Sequence, residues 1–267
     1  MTTHGHGHGA VLDLDADVLG DQLVSIVDGL PLPEAPRHVV DLGAGTGAGT
    51  FVLLDRFPGA HVTAVDASTE HLARLREKAG QAGVGGRVDT VQADLDATWP
   101  DLGTPDLVWA SGSLHHLADP VLALREVRRI LAPGGLLAVL ELSGPPRFLP
   151  ADSAAGALED RCHVVADRRA NAHMPHRGAD WGPLLSAAGL TVEDRRDLSV
   201  DATGPHPEAV GRYALMVLQR LRHAVADELS AEDVAALDAL VDVDGPGSLL
   251  RRDDLVVRTE RTVWVAR

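Results

Sequence analysis

The sequence predicts an α/β fold: a doubly wound, mostly parallel sheet of seven strands carrying a helical cap. From Arg37 onward, short apolar runs alternate with one-faced helical patterns, the signature of a parallel sheet wrapped by helices. The first run, Val39-Val40-Asp41-Leu42, passes directly into the glycine-rich turn Gly43-Ala44-Gly45-Thr46-Gly47 and then into a helix. Two late helical patterns within residues 205–256 interrupt the chain just before a last apolar run.

Residues 1–36 read as a tail and a helix. The spacing His4-Gly5-His6-Gly7-His8 predicts a flexible tail, and an apolar stripe from Val18 through Leu23, Ile26 and Leu30 predicts a helix starting at Asp17. Pro31, Pro33 and Pro36 end it. Residues 37–204 form the expected α/β core, with strands near 37–42, 61–66, 88–92, 105–110, 135–141 and 190–198. Helices are expected near 47–57, 68–82 and 119–132, the last with Asp119 as N-cap, Pro120 at the first helical position and Pro133-Gly134-Gly135 as its stop. Leu158, Cys162 and Val165 share a helical face, and a further helix is expected near 179–188. After Gly204-Pro205, the insertion 205–256 carries one helix with Val210, Ala214, Val217, Leu221 and Val225, and another starting at Ser230. Residues 257–267 supply the final strand, near 261–266.

A chain of 267 residues has room for one α/β core and a small second lobe. At 45% hydrophobic and 24% charged residues it reads as a folded chain, and aromatics at 3% make the core aliphatic. The net charge of -15 repels a phosphate backbone, so nucleic acid is not an expected partner. Cys162 is the single cysteine, which excludes an intramolecular disulfide and any multi-cysteine zinc site. The N-terminus lacks a cationic segment followed by an apolar one, and no apolar run reaches bilayer length. A cytoplasmic location without membrane contact is the expectation; the sequence leaves the oligomeric state open.

Glycines let the backbone of the 43–47 turn approach a ligand closely, and the helix that follows offers unpaired N–H groups. This segment alone is ambiguous, since Gly43-x-Gly45-x-x-Ala48 followed by Asp66 also fits a dinucleotide fingerprint. Three features favour a different ligand. Asp41, two residues before the first glycine, suits a cationic amino group and is unhelpful beside a pyrophosphate. A second acid, Asp94, closes the third strand with Leu95 beside it, and Leu131-Ala132-Pro133-Gly134-Gly135 precedes the fifth.

With the loop Ser111-Gly112-Ser113-Leu114-His115-His116, these motifs make residues 37–142 and the closing strand resemble the class I S-adenosylmethionine-dependent methyltransferases of the small-molecule type. The preference for Arg, with Lys78 the only lysine, resembles the codon bias of a high-GC bacterium. The family resemblance implies S-adenosylmethionine as cofactor and methyl transfer to an unidentified small molecule. It further implies that Gly43, Gly45 and Gly47 line the methionine portion, with Asp41 at its amino group and Ser111 nearby. Asp66 would accept from the ribose hydroxyls, and Asp94 and Leu95 would flank the adenine. For each acid the plainer reading is a helix cap or a solvated strand end.

His115 and His116 are the candidate catalytic residues, because a histidine in a loop at the reacting end is able to take the acceptor's proton. Either one equally reads as a packing residue or a cap. Glu141, at the end of the fifth strand, is expected to face the same cleft. Acceptor contacts are sought among Arg147, Cys162, His163, His173, His176, Trp181, Arg212 and Tyr213, most of which read as surface or core. No metal site is expected. The competing functions are an NAD-dependent oxidoreductase, for which no Tyr-x-x-x-Lys pair exists, and a non-catalytic S-adenosylmethionine-binding protein.

Overall fold

The computed structural model describes residues 5–202 and 207–267. The core strands are β1 (His38–Leu42), β2 (His61–Asp66), β3 (Val88–Gln92), β4 (Leu107–Ser111), β5 (Leu136–Leu142), β6 (Val192–Ala202) and β7 (Val257–Ala266). They form one sheet in the order β3-β2-β1-β4-β5-β7-β6. The first five run parallel; β7 lies antiparallel between β5 and β6, with Leu140 opposite Val263 and Arg196 opposite the same valine. A dinucleotide-type sheet with order 3-2-1-4-5-6 has no such antiparallel insertion.

Helices α1 (Gly5–Asp28), α2 (Ala48–Arg56), α3 (Thr69–Gln81), α4 (Pro120–Ile130) and α6 (Trp181–Ala187) cover the sheet. Because both faces are covered, β1, β4 and β5 are almost continuously apolar and buried. Side-chain alternation divides them: Val40, Leu42, Val108 and Val139 pack with Leu124 and Val127 of α4 and Trp181 of α6. On the other face Val39, Trp109 and Leu140 pack with Ile26 and Val27 of α1 and Leu53 of α2. Each fully buried Leu or Val contributes about 1.5–3 kcal/mol. Asp119 caps α4 through a 3.0 Å bond from the Leu122 N–H, with Pro120 at the first helical position.

A third apolar cluster joins α1, α5 (Ala154–Asn171), α7 (Pro207–Val225) and α8 (Ala231–Val241), through Leu14, Leu158, Val210, Leu218 and Leu237. The helical lobe therefore recruits α5 from the segment expected to belong to the core, along with the front of α1. The expected boundary at Gly204-Pro205 lies outside the described residues.

The expected flexible tail is corrected in part. Residues 5–8 are helical and α1 begins at Gly5, ahead of the expected Asp17, while His4 lies outside the described residues. The reason is tertiary: Gly9 sits against Thr46 and Arg74, where an added Cβ would stand 3.4 and 3.7 Å from their side chains. No helix among the described residues is long and apolar enough to cross a membrane.

Candidate active site

β1 sends its connection to one side, toward β2, and pairs on the other side with β4, so the sheet order reverses between β1 and β4. Open α/β sheets bind ligands at such a reversal, outside the carboxyl ends of the strands. Here a cavity of about 670 Å³ opens there, roofed by the front of α1 and bordered by Tyr213 of α7. Asp41, Gly43, Gly45, Asp66, Asp94, Leu95, Ser111, His115 and His116 all line it.

Gly43 adopts φ +69°, and a Cβ on it would stand 2.3 Å from that of Ser113, whose hydroxyl donates to the Leu42 carbonyl at 2.7 Å. Gly43→Ala is expected to add left-handed strain to this clash and to displace the turn from the cavity wall. Calorimetric titration with S-adenosylhomocysteine checks it; wild-type affinity in the variant overturns the expectation. Gly47 lies between Thr46 and Ala48 of the cavity wall. It caps α2 at φ 98°, and its missing Cβ makes room for the Phe51 ring and Leu75.

Asp41, the penultimate residue of β1, is 2% exposed, and its Oδ2 accepts from the Thr50 hydroxyl at 2.6 Å. Burial pushes its carboxyl up to about 7, and the negative charge of Asp66 adds to the rise against the Thr50 bond. Between the ordinary aspartate value and 7 the folded chain holds a proton that the unfolded chain has released. Stability of the ligand-free protein thus falls as pH rises through this window, by on the order of 4 kcal/mol in full. Asp41→Asn is expected to flatten that part of the slope; equal urea midpoints against pH for wild type and variant would count against it.

Asp66 ends β2 and ties the glycine turn to it. Its Oδ2 accepts from the Gly45 N–H at 2.8 Å, its Oδ1 from the Ser68 N–H at 2.8 Å, and His71 Nδ1 lies 3.3 Å away. Burial alone would raise this carboxyl, but the bonds from His71, Ser68 and Gly45 hold it below the usual range. Asp94 lies two residues past β3 and is exposed, accepting from the Asp96 N–H at 3.1 Å, with Leu95 half-buried beside it. Ser111 is the last residue of β4 and is half-buried.

Residues 114–116 form a single 3₁₀ turn after β4. Glu141, 2% exposed, lies beneath it: Oε1 accepts from the Leu114 and His115 N–H groups at 2.9 and 3.3 Å, and Oε2 is 2.6 Å from His115 Nδ1. Glu141 is therefore corrected. It does not line the main cavity; its carboxylate holds the turn and the imidazole, because the turn's free N–H groups lie over the end of β5. His115 is 8% exposed, whereas His116 is exposed and stacks obliquely on it at 4.1 Å. A carboxylate on Nδ1 selects the tautomer protonated there and leaves Nε2 as the basic nitrogen.

The roof of the cavity has no counterpart in the sequence motifs. Asp13 of α1 accepts from the Thr46 hydroxyl at 2.6 Å and from Lys78 at 3.0 Å, and pairs with Arg74. Asp15 accepts from the Tyr213 hydroxyl at 2.6 Å and from Arg261 Nη2 at 2.8 and 3.0 Å. Of the acceptor-contact candidates only Tyr213 lines the main cavity among the described residues. Cys162, His163 and Trp181 are buried elsewhere, and burial raises the Cys162 thiol to about 11, unfit for a nucleophile. No three His, Cys, Asp or Glu side chains among the described residues gather to hold a metal ion.

Residues 39–135, which carry the glycine turn, both strand-end acids and the His115 turn, match the family model described as a methyltransferase domain. The segment from β1 to the end of α4 is thus similar to a methyltransferase domain. The chain is 39% identical over 140 residues to a trans-aconitate 2-methyltransferase of Acidovorax sp. (strain JS42), covering 51% of this chain and 52% of that protein. It is 40% identical over 119 residues to a demethylmenaquinone methyltransferase of Thermus thermophilus, covering 44% and 53%. The chain thus spans about half the length of the curated relatives it matches. The fold matches the crystal structure of a putative methyltransferase from Bacillus halodurans at TM-score 0.58 and 19% identity, covering 93% of this chain and 99% of that one.

S-adenosylmethionine is the cofactor that the resemblance implies, and the lining of the cavity fits it. Asp41 is a buried carboxylate whose one side-chain partner among the described residues is the Thr50 hydroxyl, a setting that a cationic group relieves. The glycine turn beside it presents backbone where side chains would fill the space.

Proposed function

We propose that the protein transfers a methyl group from S-adenosylmethionine to a small-molecule acceptor, with His115 as general base. The Glu141–His115 pair beside the glycine-turn cavity carries this reading. When bound, the cofactor supplies a methyl carbon that is already electrophilic. The chain's own residues have to hold the two reactants in line and take one proton. Asp41 would hold the cofactor's amino group, Asp66 its ribose hydroxyls through the lone pairs left free by Gly45 and Ser68, and Asp94 with Leu95 its adenine. Ser111 and the turn at Gly43 and Gly45 would border the methionine portion. His115 Nε2 would accept the acceptor's proton while Glu141 balances the charge that forms on the imidazole.

α1 and Tyr213 would close the cavity over the acceptor, keeping water from the reacting atoms. The relatives' names, trans-aconitate and demethylmenaquinone methyltransferases, support an acceptor of metabolite size. The net charge of -15 supports a partner other than nucleic acid. A cytoplasmic location is part of the same proposal.

The experiment is radiolabelled methyl transfer from S-adenosylmethionine, assayed across trans-aconitate, quinones and thioesters alongside calorimetry with S-adenosylhomocysteine. Tight cofactor binding with turnover of one acceptor class is the expected result. Binding without turnover on any acceptor points to the non-catalytic alternative, and binding of NAD in place of S-adenosylhomocysteine rejects the reading.

A further inference from the structure

The two ends of the cavity carry opposite charge. Asp41, Asp66 and Asp94 come from β1, β2 and the segment after β3, all on one side of the reversal in strand order. On the other side the permanent cations lining the cavity, among the described residues, are Arg177 and Arg261. Arg261, on β7, is 7% exposed and is neutralised by Asp15, the acid it shares with Tyr213.

Arg177 is not neutralised in this way. It lies in the loop between α5 and α6, and its guanidinium approaches Asp167 at 3.5 Å, beyond the roughly 2.7–2.9 Å of a charge-assisted hydrogen bond. Asp167 is itself 41% exposed, so the pair is screened by water, while the Arg177 side chain is 22% exposed. The loop that carries it is fixed. The Arg177 N–H donates to the Met174 carbonyl at 3.2 Å, and Gly178, at φ +72°, packs so closely on the chain after β5 that a Cβ would stand 3.0 Å from the Ser143 carbonyl oxygen. The positive field is felt nearby: His163 is driven down to about 3, first by burial and then by the charges of Arg147 and Arg177.

We propose that the acceptor is an anionic small molecule whose carboxylate is held by Arg177 at the β5–β7 end of the cavity. The inference rests on the methyltransferase reading above and names its substrate class. A protein of net charge -15 repels anions at long range, so an anion enters only where a cation is held ready for it. The planar guanidinium offers a carboxylate two parallel N–H donors, and a neutral acceptor filling the same space would strip water from Arg177 without compensation. Among the described residues His115, His116 and Tyr213 are further titratable groups lining the cavity, and Asp15 is already shared by two donors, Tyr213 and Arg261. A phosphate monoester presents the same oxygens to the fork and is the alternative that the test has to separate.

The test titrates the full-length protein, saturated with S-adenosylhomocysteine, with benzoate against benzamide, fumarate against fumaramide, and phenyl phosphate. The expected result is that each acid binds at least about tenfold tighter than its amide and that phenyl phosphate binds more weakly than benzoate. R177Q should abolish the acid preference, R177K should keep part of it, and both should bind S-adenosylhomocysteine as wild type does. Equal binding of acid and amide, binding of neither, preference for phenyl phosphate, or an R177Q variant that still prefers acids overturns the proposal while leaving the cofactor reading intact. If wild type fails to bind S-adenosylhomocysteine, the methyltransferase reading falls and this inference falls with it.

Discussion

His115→Ala is expected to lower kcat by roughly 10²–10⁴-fold on the true acceptor, with the affinity for S-adenosylhomocysteine nearly unchanged, because the imidazole serves the proton and not the cofactor. Glu141→Gln tests the same step from behind. An amide presents either oxygen or NH₂ to Nδ1, so the fixed tautomer is lost, and the loss of the carboxylate removes the charge that balances the imidazolium. The rate is expected to fall by less than in His115→Ala, and the double variant to be no slower than the single histidine variant, since the two side chains act as one unit. His116 is exposed, whereas His115 is buried and held by Glu141, so His116→Ala is expected to be the milder substitution. Rates measured from pH 5 to 9 decide the matter. If His115→Ala turns over normally with an unaltered pH profile, the acceptor needs no base and the site works by alignment alone.

Asp66→Ala is expected to be costly twice. It removes the group proposed for the ribose hydroxyls, and it releases the Gly45 and Ser68 N–H groups that hold the glycine turn against β2. Each lost charge-assisted bond costs about 1.5–3 kcal/mol, so affinity for S-adenosylhomocysteine is expected to fall by roughly 100-fold or more. The melting temperature is expected to fall as well, by several degrees. Asp66 also makes stability depend on pH. Its carboxyl is held below the ordinary value, so its contribution is complete above that value and is lost as pH falls through the folded one. Unchanged affinity in a variant that melts lower would reduce Asp66 to a fastener of the turn.

The sheet was legible because its strands are short apolar runs with punctuation at both ends. β1 and β2 begin and end within a residue of where the pattern places them. β7 begins earlier than expected, at Val257, since Arg258 and Glu260 dilute the apolar run and the segment is extended by its pairing with Val200 and Ala202 of β6. The start of α1 was not legible. A Gly-His-Gly repeat has poor helix propensity, and what holds it lies in α3 and the glycine turn. Asp13, Asp15, Arg177 and Arg261 escaped notice for a related reason. Asp13 meets Thr46 and Lys78, and Asp15 meets Tyr213 and Arg261 on the far side of the sequence, so no local spacing betrays them. Glu141 was visible as a polar residue ending an apolar strand, but its direction depends on where the 114–116 turn settles. Gly47 matched the glycine pattern, yet Phe51 and Leu75 claim the space beside it.

The position of β7 inside the sheet has a bearing on synthesis. β6 is an edge strand whose one sheet neighbour is β7, and 54 residues lie between Ala202 and Val257. At a translation rate of roughly 5–20 residues per second, β6 leaves the ribosome several seconds before the strand it pairs with exists. An unpaired strand during that interval is a template for aggregation. Glu193, Arg195 and Asp197, exposed along β6 in the finished sheet, put charge on that waiting strand and make it a poor partner for another nascent chain.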